Sequence, residues 1–187
     1  MDISLIKTEA RKAAFAARAK VHGTGLDEPA NRNLLDEIAR YPEAGIVSAY
    51  MAMRTEIDPA AAMNTLFQQG KRICVPVIEG PDRPLVFVEW TPDADMVDGT
   101  FGAKVPADGD RLLPDLVISP LLTFDSRGYR LGYGGGFYDR TFEALRDVKP
   151  VLGIGFAYSA QHVSEVPVEP TDYRLDAIVT EAEVLRF

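Results

Sequence analysis

Short apolar runs alternate with longer polar segments along most of the chain. Mostly apolar runs of strand length lie at residues 45–53, 73–78, 116–122 and 151–158, and a shorter one lies at residues 175–180. Strands that are buried on both faces of a parallel sheet have this near-continuous apolar composition. The alternation therefore predicts an α/β fold in which helices cover a mostly parallel sheet.

Helix signals occupy several of the segments between these runs. The first is rich in alanine and has Ser4 as a candidate N-cap. Asp58 and Pro59 predict the start of another helix, which Gly70 ends. The predicted helices cover residues 4–21, 27–41, 58–70 and 137–145.

Two stretches fit the simple alternation less well. Residues 85–90 alternate in the manner of an edge strand, and Pro76 argues against a fully central position for its own strand. Residues 91–114 are rich in Asp, Gly and Pro, and long connections of this kind are often binding loops. Phe101 and Gly102 could line a pocket there, although a chance aromatic anchor is the simpler interpretation.

Composition narrows the classes of protein. With 187 residues, of which 47% are hydrophobic, the chain fits one domain, residues 1–187, with a packed core. Its net charge of -8 argues against bulk nucleic-acid binding. No apolar run is long enough to cross a bilayer, and the N-terminus lacks a secretory apolar segment. We therefore expect a cytoplasmic monomer with no membrane or nucleic-acid partner, and the lone Cys74 as a buried structural thiol.

The stretch at residues 130–140 is the main candidate for chemistry. Four glycines lie between an apolar run and a predicted helix: Gly132, Gly134, Gly135 and Gly136. Glycine lets a ligand approach the main chain, and a helix N-terminus presents free N–H groups to an anion. Neither the P-loop nor the dinucleotide-binding spacing is present. Arg130 and Asp139 flank the glycines, so we expect a phosphate site rather than a simple tight turn.

Charged residues elsewhere are ambiguous when each is taken alone. Lys7, Arg11 and Arg18 fall within about 40° of one another on a helical wheel, which on spacing alone favours a solvated basic face. Glu56 follows an apolar strand, at the end where open α/β sheets bind ligands. An exposed loop glutamate is an equally good interpretation of that residue.

Taken together, these pieces give the chain a resemblance to the 5-formyltetrahydrofolate cyclo-ligase family. The matching motifs run in order from Lys7 to Thr180, which is nearly the whole length. The most specific one is the string from Phe124 to Arg140. The others are Lys7-x-x-x-Arg11, Arg54-Thr55-Glu56-Ile57, Asp172 and Val179-Thr180-Glu181.

The resemblance implies a fold and an activity. The fold is a three-layer α/β sandwich akin to sugar-phosphate isomerases and CoA transferases. The activity is an ATP- and magnesium-dependent closure of 5-formyltetrahydrofolate to 5,10-methenyltetrahydrofolate, with release of ADP and phosphate. A relative acting on another formyl or carboxyl substrate, and a non-catalytic folate- or nucleotide-binding protein, are the alternatives.

The resemblance also implies roles for individual residues. Arg130 and Tyr138 would be catalytic, and Asp139 and Asp172 would hold magnesium. The folate would contact Met51, Glu56, Tyr133, Gly134, Gly135, Gly136 and Phe137. ATP would contact Lys7, Arg11, Arg130, Leu131, Gly132, Tyr133, Gly134, Gly135, Gly136, Phe137 and Tyr138.

The sequence departs from the family pattern at several positions. Tyr133 stands where some members carry a basic residue, which puts more weight on Arg130 as a phosphate contact. Phe137 replaces a common tyrosine, Ser119-Pro120 a usual Pro-Gly pair, and Thr171 a frequent histidine. None of these changes removes a charge that the implied mechanism needs.

Overall fold

A computed structural model describes residues 3–187 of the chain. Its helices are α1 (Ile3–Val21), α2 (Asp27–Ile38), α3 (Ala60–Gln68) and α4 (Phe137–Arg146). Its strands are β1 (Ile46–Ser48), β2 (Arg72–Val77), β3 (Val86–Trp90), β4 (Met96–Asp98), β5 (Lys104–Pro106), β6 (Arg111–Leu112), β7 (Leu116–Pro120), β8 (Thr123–Phe124), β9 (Arg130–Leu131), β10 (Leu152–Phe156), β11 (Ala177–Val179) and β12 (Val184–Arg186).

One eight-stranded sheet runs through the molecule in the order β12-β11-β10-β7-β1-β2-β3-β6. The inner pairs, from β11 to β2, are parallel. The antiparallel pairs lie toward the two edges, where β12 joins β11 and β3 joins β2. The mostly parallel sheet predicted from the apolar runs is therefore confirmed.

Helices cover both faces of this sheet. Successive side chains of a strand point to opposite faces, so Leu116 and Ile118 of β7 enter one core while Val117 enters the other. The first core also takes apolar side chains of α2 and α3. The second takes Phe142 and Leu145 of α4. In the part of the chain described, no helix is both long enough and apolar enough to span a membrane.

Several predicted boundaries need correction. Helix α1 already includes Ile3, so Ser4 lies inside the helix and is not its N-cap. The first strand, Ile46–Ser48, is much shorter than residues 45–53, although the Ala49 N–H still donates to the carbonyl oxygen of Cys74 in β2. Pro76 does lie in a strand with neighbours on both sides. It is tolerated because β1 pairs with β2 only as far as Cys74, so Pro76 faces β3 alone.

Residues 91–114 are not a connection without regular structure. They form an antiparallel hairpin, β4 with β5, and then the edge strand β6. Phe101 lies at the tip of the hairpin and is 76% exposed, so it neither lines a pocket nor anchors the loop. The sequence also gave no signal for the edge strand β12, which closes the sheet after residues 175–180.

Three long connections follow the carboxyl ends of three neighbouring strands and lie on the same side of the sheet. Strands β10, β7 and β1 are adjacent and parallel, so their carboxyl ends meet there. The segment with Glu56 follows β1, and the glycine loop follows β7 after the short β8–β9 hairpin. The segment with Asp172 follows β10. Residues that are far apart in sequence therefore become neighbours.

Candidate active site

The glycine loop links β9 directly to the N-terminus of α4. Gly136 is the residue before the helix and has a left-handed backbone, with φ of 62°. Gly134 has φ of 103°, and a Cβ there would lie 3.1 Å from Nη2 of Arg11. A side chain at Gly134 would thus be strained and would press on a basic residue of α1. The loop brings its main chain against that helix.

The basic stripe of α1 faces the protein and not the solvent. Lys7 is 8% exposed and Arg18 is 1% exposed, and Ala14 between them is buried. Nε of Arg11 donates to the carbonyl oxygen of Gly132, at 3.0 Å. The interpretation of a solvated basic face is therefore wrong, because the stripe lies against the glycine loop and the segments beside it.

Lys7 bridges two carboxylates from the segment after β10. Its Nζ donates to Oε2 of Glu169 at 2.7 Å and to Oδ2 of Asp172 at 2.8 Å. Burial alone would lower the pKa of Lys7, but its two hydrogen-bonded carboxylates outweigh burial and raise the pKa. The ammonium is therefore fully charged at neutral pH, and Glu169 is a member of the site that the sequence did not reveal.

Arg130 and Asp139 form the second charged pair of the loop. Nη2 of Arg130 donates to Oδ1 of Asp139 at 3.0 Å, and Nη1 donates to the carbonyl oxygen of Tyr173. The Tyr173 backbone N–H also donates to Oδ1 of Asp139, at 2.9 Å. These bonds fix β9, the start of α4 and the residues next to Asp172 relative to one another.

The two predicted metal ligands, Asp139 and Asp172, have the oxygen donors that magnesium prefers. The hydrogen bonds of Asp139 and Asp172 within residues 3–187 fall on one oxygen of each carboxylate, which leaves the other oxygen of each available. Over the same residues there is no group of three or more metal-ligating side chains. Magnesium commonly binds through one or two carboxylates together with phosphates and water, so a two-carboxylate site suffices.

Glu56 is a buried carboxylate and not an exposed loop residue. It is 3% exposed, so the exposed-loop interpretation is wrong. Its Oε1 accepts from the Tyr133 hydroxyl at 2.8 Å, and its Oε2 accepts from the Met53 backbone N–H at 2.9 Å. Burial raises the pKa of Glu56, and these two donors work against that rise. A carboxylate has about four acceptor positions, so Glu56 can still accept N–H donors from a ligand.

Arg18 of α1 is connected to the Glu56 carboxylate through the side chain of Tyr133. Its Nη2 donates to the Tyr133 hydroxyl at 2.7 Å, and its Nε donates to Oγ1 of Thr55 at 3.0 Å. Its Nη1 is buried without a hydrogen-bond partner in the described part of the chain. The sequence placed Arg18 on the basic stripe, but spacing could not show that a tyrosine of the glycine loop would meet it.

Aromatic and apolar side chains complete the folate side of the predicted site. Tyr133 lies 5.5 Å from the ring of Phe15, centroid to centroid, and is 41% exposed. Tyr138 is partly buried beside Phe142, and burial raises the pKa of its phenol well above the ordinary value. Its hydroxyl has no hydrogen-bond partner within residues 3–187. Met51 is partly buried on the segment that carries Glu56.

The structure therefore joins most of the predicted charged residues in one network. Lys7 reaches Asp172, the neighbouring Tyr173 reaches Asp139, and Asp139 reaches Arg130. Two residues that follow Arg130 in the sequence complete the network. The carbonyl oxygen of Gly132 accepts from Arg11, and the hydroxyl of Tyr133 donates to Glu56. Two surface depressions elsewhere, near Pro150 and near Asp108, include no predicted site residue.

Comparisons with named sequences point to one family. A family model described as the 5-formyltetrahydrofolate cyclo-ligase family matches residues 7–181. The chain is 34% identical to the 5-formyltetrahydrofolate cyclo-ligase of Escherichia coli over 147 residues, which cover 75% of this chain and 80% of that protein. It is also 34% identical to the enzyme of that name from Haemophilus influenzae over 139 residues, which cover 71% and 74%.

Solved structures agree with this relationship. The solution structure of 5,10-methenyltetrahydrofolate synthetase from Aquifex aeolicus matches with a TM-score of 0.75 at 28% identity, covering 97% of this chain and 92% of that one. The synthetase of that name from Mycoplasma pneumoniae has the same fold, with a TM-score of 0.72 at 23% identity over 97% of this chain and 99% of that one. The chain belongs to the 5-formyltetrahydrofolate cyclo-ligase family, and its enzyme class is that of a ligase.

Proposed function

We propose that this protein converts 5-formyltetrahydrofolate into 5,10-methenyltetrahydrofolate, using ATP and magnesium and releasing ADP and phosphate. The observation that carries the proposal is the hydrogen bond from Tyr133 to Glu56. Through it, a glycine loop suited to phosphates adjoins a buried carboxylate suited to a ring with several N–H donors. Both substrates can therefore meet at one place.

The ATP side consists of cations and free backbone N–H groups. Lys7, Arg11 and Arg130 surround the loop, and the first turn of α4 adds N–H groups with positive partial charge. Hydrogen bonds to Glu169 and Asp172 already fix the ammonium group of Lys7. A bound phosphate would therefore meet a cation that is in position. Phosphoryl transfer needs mainly this positioning and charge neutralisation.

Asp139 and Asp172 would hold the magnesium ion beside those cations. The ion would supply charge neutralisation on the phosphate oxygens. Arg130 fixes the orientation of Asp139, and the Glu169 backbone N–H fixes that of Asp172. The second oxygen of each carboxylate could then bind the ion without a change in the hydrogen bonds of the first.

The folate side depends on Glu56. A reduced pterin presents N–H donors along one edge, and the ionised carboxylate can accept them. Met51, Tyr133 and Phe137 would supply apolar and aromatic contacts to the ring. This orientation would place the N-formyl group toward the glycine loop.

The reaction itself has two steps. The formyl group on nitrogen is amide-like and a poor electrophile, so its oxygen first takes the γ-phosphoryl group of ATP, which releases ADP. The nitrogen at position 10 then attacks the activated carbon and gives up its proton, and phosphate leaves with the former formyl oxygen and takes up that proton. Arg130 and the N–H groups of the loop would stabilise the charge that develops on the phosphoryl oxygens.

A turnover assay tests the proposal. We expect methenyl product, followed by its absorbance, when 5-formyltetrahydrofolate, ATP and magnesium are all present, and none when any one is left out. Binding of ATP without binding of the folate would favour a relative with another substrate. Binding of both ligands without product would favour a non-catalytic protein.

Arg11→Ala should separate the two halves of the site. The substitution removes a guanidinium that lies over Gly132 and Gly134, so we expect the KM for ATP to rise about 10-fold to 100-fold, as is usual for a charged hydrogen bond. The KM for the folate should change less than threefold. Steady-state kinetics with each substrate varied in turn gives both values.

Lys12→Ala is the matched control for this prediction. Lys12 is the next residue of α1, but it is exposed, and among residues 3–187 it pairs only with Glu9 on the helix surface. Its replacement should leave both KM values unchanged. Equal effects of Arg11→Ala on the two substrates would count against its placement at the phosphates.

A further inference from the structure

Arg18 has features that a purely structural arginine does not need. It is 1% exposed, yet no carboxylate accepts a hydrogen bond from it within residues 3–187. Its hydrogen-bond partners are two hydroxyl groups, its guanidinium lies over the rings of Phe15 and Tyr133, and its Nη1 has no hydrogen-bond partner in that part of the chain. Burying a guanidinium without a direct counter-charge is costly, so the position is explained better by a demand of the site than by stability.

The Tyr133 hydroxyl transmits the charge of Arg18 to Glu56. It accepts from Nη2 of Arg18 at 2.7 Å and donates to Oε1 of Glu56 at 2.8 Å. A phenol can do both at once, and accepting from a cation makes it a stronger donor. The tyrosine therefore extends the reach of a buried cation on α1 to a carboxylate on the segment after β1.

Other charged and titratable groups near Glu56 act in both directions. Arg18 and Arg54 favour the ionised carboxylate, whereas burial disfavours it. Glu56 in turn raises the pKa values of nearby tyrosines. The groups that face this region are Arg18 of α1, Arg54 and Asp58 of the segment after β1, Tyr50 beside them, Tyr133 of the loop and Tyr138 of α4.

We infer that Arg18 is a positioning residue for folate recognition, which acts through the Tyr133 hydroxyl to keep Glu56 ionised and oriented toward the ring N–H donors. This inference rests on the proposed folate function, because it assigns a partner to the same carboxylate. It also gives the Tyr133 hydroxyl a specific purpose, since this group alone joins the hydrogen bond from Arg18 to the hydrogen bond on Glu56 among residues 3–187.

The inference predicts a pH dependence with a definite sign. Burial raises the pKa of Glu56, and Arg18 holds it down. Loss of Arg18 should therefore raise the pKa further and lower the ionised fraction at a given pH. Folate binding should then weaken as the pH falls and recover as it rises, because only the ionised carboxylate can accept both N–H donors.

Arg18→Met and Tyr133→Phe test this prediction, because both keep much of the side-chain volume while breaking the relay. We expect the pH midpoint of the folate KM to move up by about one unit in each variant, so that the KM rises about tenfold on the acidic side. The KM for ATP should stay within threefold. Lys20→Met, which removes an exposed charge from the last turn of the same helix, should leave the pH profile unchanged.

The double variant Arg18→Met, Glu56→Gln separates this role from a merely structural one. If Arg18 acts through Glu56, its loss should add less than twofold to the folate KM of Glu56→Gln, and the pH dependence should vanish. Additive losses, or an unshifted profile in a folded Arg18→Met protein, would overturn the inference. Absence of product with the unsubstituted protein would instead reject the proposed function, so the two failures are distinct.

Discussion

Asp139→Asn is expected to lower the turnover number by at least about 100-fold, the upper end of what even a supporting residue of a metal site usually costs. The asparagine can keep its side-chain oxygen toward Arg130 and the Tyr173 N–H, so those two hydrogen bonds survive. What is lost is the negative charge and the free oxygen that would hold magnesium. Turnover at a series of magnesium concentrations measures the effect, and the midpoint for magnesium should move upward.

Asp147→Asn is the matched control at the other end of the same helix. Asp147 follows α4, is exposed, and only its backbone takes part in hydrogen bonds among residues 3–187. Its replacement should leave turnover and the magnesium midpoint unchanged. If Asp139→Asn kept full activity while remaining folded, Asp139 would not be a metal ligand.

Glu56→Gln is expected to raise the KM for 5-formyltetrahydrofolate about 10-fold to 100-fold, with less than a threefold change for ATP. A hydrogen bond to a charged group contributes about 1.5–3 kcal/mol, and each 1.4 kcal/mol corresponds to a factor of ten. Glutamine is neutral and places an NH₂ group where an oxygen accepts from Tyr133 or Met53. Glutamine therefore accepts fewer hydrogen bonds than the carboxylate, both from the protein donors and from the N–H groups of the pterin ring.

The control for this variant is Glu43→Gln. Glu43 is an exposed glutamate before β1 and outside the site, so its replacement should leave both KM values unchanged. The thermal unfolding midpoint of each variant shows whether the fold is intact. A folded Glu56→Gln protein with an unchanged folate KM, or with a larger effect on ATP, would contradict the placement of the pterin at Glu56.

The parts of the fold that depend on local pattern followed directly from the sequence. The buried strands β7 and β10 are continuous apolar runs, and a parallel sheet is the usual place for such runs. The glycines before α4 predicted a helix start with backbone angles that other residues avoid. Gly134 and Gly136 do have positive φ angles. In these segments, short-range chemistry decides the conformation.

Orientation and burial could not be obtained in the same way. The spacing of Lys7, Arg11 and Arg18 shows that they share one side of a helix, but the direction of that side depends on where α1 docks. Likewise, the buried Glu56 accepts a hydrogen bond from Tyr133, which lies 77 positions later in the chain. Contacts between segments that are distant in sequence produce no recognisable pattern of residues in either segment.

The sequence also predicted the strands near the edges of the sheet poorly. Pro76 argued against a central strand, yet the shortness of β1 leaves its position without a partner on one side. Residues 91–114 lack the apolar alternation of a buried hairpin, because β4 is mostly exposed and β5 is only partly buried. Exposed strands need few apolar residues, so composition alone made this segment resemble a loop.

A structure of the complex with 5-formyltetrahydrofolate and a non-hydrolysable ATP analogue would show whether both substrates bind at this site. We expect the pterin edge at Glu56 and the triphosphate among Lys7, Arg11 and Arg130, with the formyl oxygen facing the γ-phosphate across residues 132–136. Two ligands bound on separate surfaces, or a pterin away from Glu56, would contradict that expectation.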